Sequence, residues 1–317
     1  MGVGSAGLPG TEFWAAILTG VGLGTLARLA MLRTDYRQYP SYPHGYASHL
    51  ALGVVAAFAG AVVIPALMLR EITAVTFLLL VAQQFREVRD LERKTLEKME
   101  ETELVRRGAA YIEDIAKVFE ARNYLTIFTA LTASAVTLAL WPWAEPRGLV
   151  WMAPAGGVLA GTAVILAGRR GLDRVTLGSV CRIRLGDLHF EDTVLWVDDI
   201  NIEEIGLVKA REDYRRHGLG VVIEPKDDDA RATLANLGQR QAIAHDAASI
   251  LGVRKDRDSP EYTPLVRLHL DTGRAALAIC PIEPDAGPLL AAVRAVPVIE
   301  GARTRPLATR PGRRAAD

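Results

Sequence analysis

The residues best suited to chemistry lie close together near the amino end. Asp35, Ser41, His44, Ser48 and His49 combine an acid, two hydroxyl nucleophiles and two bases within fifteen positions. Together they would supply a serine-type hydrolytic set. Such a set is recognised by geometry, and no Gly-x-Ser-x-Gly frame presents either serine. His44 and His49 are five apart, the wrong spacing for two metal ligands on one helical face. The ordinary reading is loop packing at a membrane interface, where Tyr36, Tyr39, Tyr42 and Tyr46 suit headgroup level.

A second set is acidic. Asp198, Asp199, Glu203 and Glu204 have the chemistry to hold a divalent cation, but acidic turn residues on a solvated rim are the commoner case. His189, His217, His245 and His269 are scattered without a partner at ligand spacing. Two isolated cysteines, Cys181 and Cys280, make neither a disulfide framework nor a zinc site and fit a reducing compartment. No phosphate-binding loop or dinucleotide fingerprint occurs. No cofactor and no metal are expected. Lys plus Arg equals Asp plus Glu at 37 each, so the basic excess that a general nucleic-acid binder needs is missing.

The elements that must position these residues are apolar. Half of the 317 residues are hydrophobic, and a bilayer core of roughly 30 Å takes about twenty of them per helix. Spans are expected at about 13–32, 48–69, 124–141 and 149–167, after a loose N-terminus over 1–12. Gly20, Gly22, Gly24, Gly53 and Gly60 put small residues where helices approach closely. Arg28 near the end of the first span is expected to snorkel. The stretch 72–85 rises only about 21 Å as a helix, which leaves five-span and four-span models open. The five-span model puts more arginines inside.

Between these spans lies the most charged part of the chain, a cytoplasmic helical segment over 86–123. Gly108 marks a break in it, and a second amphipathic helix starts at about Ala109. On that helix Tyr111, Ile112, Ile115 and Phe119 form an apolar stripe at three- and four-residue steps. Glu113, Lys117 and Glu120 lie off it. These seven residues are the candidate interaction surface, against the membrane-facing bundle or a protein partner.

From about residue 171 the composition becomes that of a soluble α+β domain, taken to run to 300 and to be cytoplasmic because Arg169, Arg170 and Arg174 follow the last span. Strands are expected at 175–183, 189–197, 221–224, 265–270 and 275–279. The last two are joined through the hairpin signal Asp271-Thr272-Gly273. One helix is expected over 227–251 and another over 286–295, followed by a disordered Arg- and Pro-rich tail over 301–317. The fold class is therefore an α-helical multi-pass membrane domain over 13–170 followed by a soluble α+β domain.

The run AAYIEDIAKVFEARNYL from Ala109 to Leu125 resembles the signature of the YIEGIA family, with Asp114 where the family has Gly. DYRQYPSYPHGYASHLALG and AVTFLLLVAQQFREVRDLER are similar to the family as well. The resemblance implies a multi-pass membrane protein of endospore-forming bacteria linked to sporulation. It also implies proteolysis, by the protein or under its control, and a small regulatory protein partner. Asp costs less than Gly in a helix, so Asp114 favours an unbroken helix there. Three functions follow as expectations: a structural or regulatory protein that recruits protein partners at the cell membrane, a membrane-associated protease or regulator of proteolysis, and a transporter. The bilayer itself is a partner in each.

Overall fold

The computed structural model describes residues 10–35, 43–101, 103, 105–171, 175–256, 259–260, 262–303 and 308. Ser41, three of the four tyrosines of the loop after Asp35 and nearly all of the expected tail lie outside these residues. The chain divides into two compact units. One comprises residues 1–92 and 116–173, the other 93–115 and 174–317.

The first unit is helical. It holds α1 (Thr11–Asp35), α2 (Pro43–Met68), α5 (Met152–Gly171), the first two-thirds of α3 (Ile72–Glu100) and most of α4 (Ala109–Ala144). Three stretches among the described residues are helical, long and apolar enough to cross a membrane: Thr11–Leu32, Gly45–Met68 and Ala109–Arg147. Met152–Gly168 is a shorter apolar helix. The stretch 72–85 continues without a break into the charged helix after it, as one element of 29 residues.

Lipid gives apolar side chains no reason to leave it, so helices in such a bundle associate through close contact and hydrogen bonds. Small residues provide that here. Gly24 on α1 lies against Ala57 on α2 and Ala130 on α4, and Gly60 on α2 lies against the backbone of Ile127. The Ser134 hydroxyl of α4 donates to the Ala61 carbonyl of α2 at 2.8 Å. Arg28 does not snorkel. It is fully buried among the helices, with its guanidinium 5.0 Å from the centre of the Phe119 ring. Neighbouring helices enclose Arg28, so the path toward water that a lone helix would leave open is closed.

The second unit is α+β. A short helix α6 (Leu177–Val180) leads into β1 (Cys181–Gly186), β2 (Leu188–Glu191), β3 (Val194–Val197) and β4 (Ile200–Glu204). Then follow α7 (Val208–His217), β5 (Leu219–Pro225), α8 (Asp228–Ala235), α9 (Leu237–Leu251) and the short pair β6 (Lys255–Asp256) and β7 (Ser259–Pro260). The unit ends with β8 (Leu265–Leu268), β9 (Ala275–Ile279) and α10 (Ala286–Ala295). One antiparallel sheet has the order β1-β5-β9-β8 and a second the order β2-β3-β4. Leu195, Val197, Ile202, Val222, Ala276 and Ala278 fill the core they share. Strand β9 is buried along its whole length, since α9 packs on its other side.

Three expected elements divide differently. The 189–197 strand is a hairpin turning at Asp192, whose φ of 53° an acidic side chain tolerates. The start of the 175–183 strand is the helical turn α6. The 227–251 helix is two helices, because Asn236 is extended (ψ 126°) and its side chain caps the second by accepting from the Gln239 N–H. The β8–β9 hairpin forms across the Asp271–Gly273 turn, with Gly273 at φ 69°. Both cysteines are buried and neither is in a disulfide, and burial pushes the Cys181 thiol up to about 12.

The small-residue contacts give a direct test. Gly60→Leu forces α2 and α4 apart and destabilises the bundle by about 1–3 kcal/mol or more. Gly22→Leu, at a position where an added side chain meets nothing, leaves it unchanged. Thermal unfolding of the intact protein in uncharged detergent reads the difference, and equal midpoints would sink this account of the packing.

Candidate functional site at the start of helix α4

Helix α4 begins at Ala109, and its first N–H groups have no partner within the helix. The chain supplies partners from two distant places. The Glu100 carboxylate, at the end of α3, accepts from the backbone N–H of Arg107 at 2.9 Å and of Gly108 at 3.1 Å. The Gln241 side-chain oxygen, on α9, accepts from the Tyr111 N–H at 3.0 Å. Gly108 has φ 88°, a conformation that favours glycine, and the Gln241 amide occupies the space a side chain there would need.

Charge is handled in the same place. Arg107 is 5% exposed and pairs with Glu100 at 3.3 Å and with Glu103 at 3.3 Å. His245 of α9 hydrogen-bonds through Nδ1 with the Val105 carbonyl at 2.9 Å, and the Tyr111 ring meets it edge-on at 6.3 Å. Burial, then the nearby Arg107, pushes the His245 pKa down. Next to it, burial raises the Asp246 carboxyl to about 7 despite Arg107. One turn along from Tyr111, the buried Asp114 carboxylate fits between Gly238, the second residue of α9, and Gly301. A methyl group at either glycine would overlap it. The amino end of α9 is a favourable place for that negative charge.

The motif residues are mostly interior. Tyr111, Ile112, Ile115, Ala116, Val118 and Phe119 are buried, while Lys117 is exposed and Glu113 and Glu120 are half-buried. Phe119 belongs to the helical unit. There it packs with Ala56 and Val88, and its ring lies between Arg28 and His49, 4.6 Å from the His49 ring. His49 in turn lies 3.6 Å from the Glu92 carboxylate.

Of the hydrolytic candidates, only Ser48 and His49 have described side chains. Ser41 lies outside the described residues, and Asp35 and His44 are placed only as members of α1 and α2. Ser48 and His49 are consecutive on α2, and neighbours on a helix do not face each other. The serine hydroxyl that does meet a histidine is Ser249, 3.4 Å from His245 Nε2 one turn earlier on α9. Its histidine is held by a backbone carbonyl and disfavoured from charging, so this pair lacks a carboxylate to orient and stabilise an imidazolium. Of the acidic set, Asp198 pairs with Arg184 at 2.7 Å and Asp199 with Arg274 at 2.6 Å. No group of His, Cys, Asp and Glu among the described residues is arranged to hold a metal ion.

Glu100, Arg107, Asp114, Gln241, His245 and Asp246 were not identifiable as a group from sequence. Gly108 was the one visible signal, as a helix break.

These features define a membrane protein with apolar helices and an attached α+β domain that carries the start of one of those helices. The YIEGIA protein family model matches residues 16–309, and the chain belongs to that family. It is 41% identical over 296 residues to "Uncharacterized protein YphB" of Bacillus subtilis (strain 168), covering 93% of this chain and 96% of that one. No solved structure matches it.

The buried carboxyl of Asp246 yields a pH test. Its folded pKa of about 7 lies above its ordinary 3.8, so the folded state holds a proton that the unfolded state has lost between those values. Its contribution to stability therefore falls as pH rises through that window, by up to about 1.4 kcal/mol per unit, and levels off above it. His245, with a folded pKa below 6.5, works in the opposite sense, since stability is lost as pH falls below 6.5. Asp246→Asn removes it, so the variant gains in melting temperature over the wild type as pH goes from 5 to 8. A constant difference across that range would refute the burial account.

Proposed function

We propose that this protein is a multi-pass membrane protein of the sporulating cell, with a cytoplasmic α+β domain, that acts by recruiting protein partners rather than by catalysis. The observation that carries this reading is how the motif is used. Its apolar residues are consumed by the protein's own packing, while Lys117, Glu113 and Glu120 keep contact with solvent on the same helix. The helix is continuous from Ala109 to Ala144, so it joins the end held by the α+β unit to an apolar stretch. Membership of the family supports the link to sporulation.

The cytoplasmic side follows from the Lys and Arg residues of the 84–123 segment and from Arg169, Arg170 and Arg174. Asp228 is exposed and both native cysteines are buried. Asp228→Cys is therefore expected to resist an impermeant thiol reagent in intact cells and to react after lysis. Labelling of intact cells would reverse the topology.

The recruiting role is tested by surface charge. Lys117→Ala combined with Glu120→Ala is expected to leave membrane abundance unchanged, since exposed charges add little to stability. Spore formation is expected to drop about tenfold, the scale of losing 1.4 kcal/mol of partner binding. Phe119→Ala costs about 3–5 kcal/mol and lowers abundance itself. If the double variant sporulates like the wild type, the motif is a packing device alone.

A further inference from the structure

Four of the chain's five tryptophans belong to the helical unit, and they gather at one end of it. Trp141 and Trp143 lie near the end of α4, and Trp151 immediately precedes α5. Trp14 stands near the start of α1, which runs antiparallel to α4, since Gly24 meets Ala130 while Arg28 reaches Phe119. Trp14, Trp143 and Trp151 are exposed. Between Trp143 and Trp151 the chain turns at Gly148, whose φ is 66° and whose N–H donates to the Glu145 carbonyl at 3.0 Å. Arg147 of that turn has its guanidinium 4.8 Å from the centre of the Trp143 ring. We propose that this turn sits at the headgroup level of the bilayer and that Arg147 there binds the phosphate of a phospholipid.

Three observations select that partner. The first is spacing. Tyr124 is the other exposed ring with a polar edge on α4, and nineteen residues separate it from Trp143. That is roughly 29 Å along a helix, against a hydrocarbon core of roughly 30 Å. Such rings settle at the two interfaces of a bilayer, so a pair at this separation brackets the core. The second is the state of Arg147. One N–H of its guanidinium donates to the Trp143 carbonyl at 2.6 Å, which satisfies one of the last carbonyls of α4. Among the described residues no carboxylate pairs with it. The Trp143 ring steadies the cation, and the side chain is exposed, so its remaining donors are open to a ligand. A guanidinium fork matches a phosphate in shape and charge. The third is the apolar surround. Val150 and Trp151 are exposed beside the turn. A free phosphate would use Arg147 and leave them in water, whereas a lipid covers them with its chains. Glu145 in the same turn offsets the charge of Arg147, so a zwitterionic phospholipid suits the turn.

This inference rests on the helical unit lying in a bilayer and not on the recruitment of partners, and the first assay separates the two levels. The full chain is placed in phosphatidylcholine vesicles whose acyl chains carry bromine either near the headgroup or near the chain end. The fluorescence that Trp143→Phe or Trp151→Phe removes belongs to that tryptophan. It is expected to be quenched more strongly by the shallow bromines than by the deep ones. Absent quenching, or quenching by the deep bromines as strong or stronger, overturns the headgroup placement. If Trp14, read in the same way through Trp14→Phe, is quenched while those two are not, the bilayer reading stands and this one falls. The second assay reads the phosphate. Dihexanoyl phosphatidylcholine is titrated against the full chain in uncharged maltoside detergent, and native mass spectrometry follows the first lipid bound. Arg147→Gln is expected to weaken it about tenfold, the scale of one lost charge-assisted contact. Arg216→Gln, at an exposed arginine of α7, leaves it unchanged. Equal binding by Arg147→Gln overturns the proposal. So does competition by inorganic phosphate as effective as by the lipid, which would make the turn a site for a free anion.

Discussion

The first N–H groups of a helix have no partner inside it, and leaving a buried donor unsatisfied costs about 1–3 kcal/mol. At the start of α4 the Glu100 carboxylate accepts from the Gly108 N–H and the Gln241 side chain from the Tyr111 N–H, one from the preceding helix and one from α9, while Ala109 is open to water. This ties the start of α4 to the α+β unit at a fixed register. Tyr111, Ile112 and Ile115 are buried in the part of α4 that belongs to the α+β unit, and Phe119 is buried in the part that belongs to the helical unit.

Three of the charged groups around that anchor obey a single condition. Each has either an opposite partner or a pKa shifted toward its neutral form. Arg107 has Glu100 and Glu103. His245 is held toward its neutral form, and Asp246 toward its protonated one. Removing Glu100 would leave Arg107 with Glu103 alone and the Arg107 and Gly108 N–H groups without their acceptor, each a loss of about 1–3 kcal/mol where the donor is buried. The helical unit repeats the theme with fewer groups. Arg28 meets the Phe119 ring, and His49 lies between that ring and Glu92. The motif helix thus has a polar cluster beside its apolar stripe in each unit.

What could be read in the sequence was what hydropathy and local turn chemistry encode. The apolar helices, the α+β domain, the Gly108 break and the Asp271–Gly273 hairpin all depend on neighbours in the chain. The division at Asn236 was missed because helix formers flank it on both sides, and one extended residue leaves the periodicity on either side intact. The snorkelling of Arg28 was a sound expectation for a lone helix. It fails because Phe119, ninety-one positions away, lies over it. The anchor itself was hidden for the same reason. Its key bond joins Tyr111 to Gln241, separated by 130 residues. The seven residues named as an interaction surface divide sharply, and periodicity alone cannot say whether an apolar stripe meets a partner or the chain's own core.

Asp114 shows how one substitution propagates through such packing. The family motif has Gly at this position, and the helical continuity of α4 accounts for only part of what Asp does here. Its carboxylate fills the space beside Gly238 and Gly301, but the two glycines answer to different demands. A Cβ at Gly238 would also lie 3.0 Å from the Ala110 carbonyl oxygen, so the close crossing of α4 and α9 disfavours a larger residue there whatever stands at 114. A Cβ at Gly301 would meet Asp114 first, since its three nearest atoms all belong to that side chain. Position 301 therefore answers to position 114, whereas position 238 answers to the backbone of α4 as well.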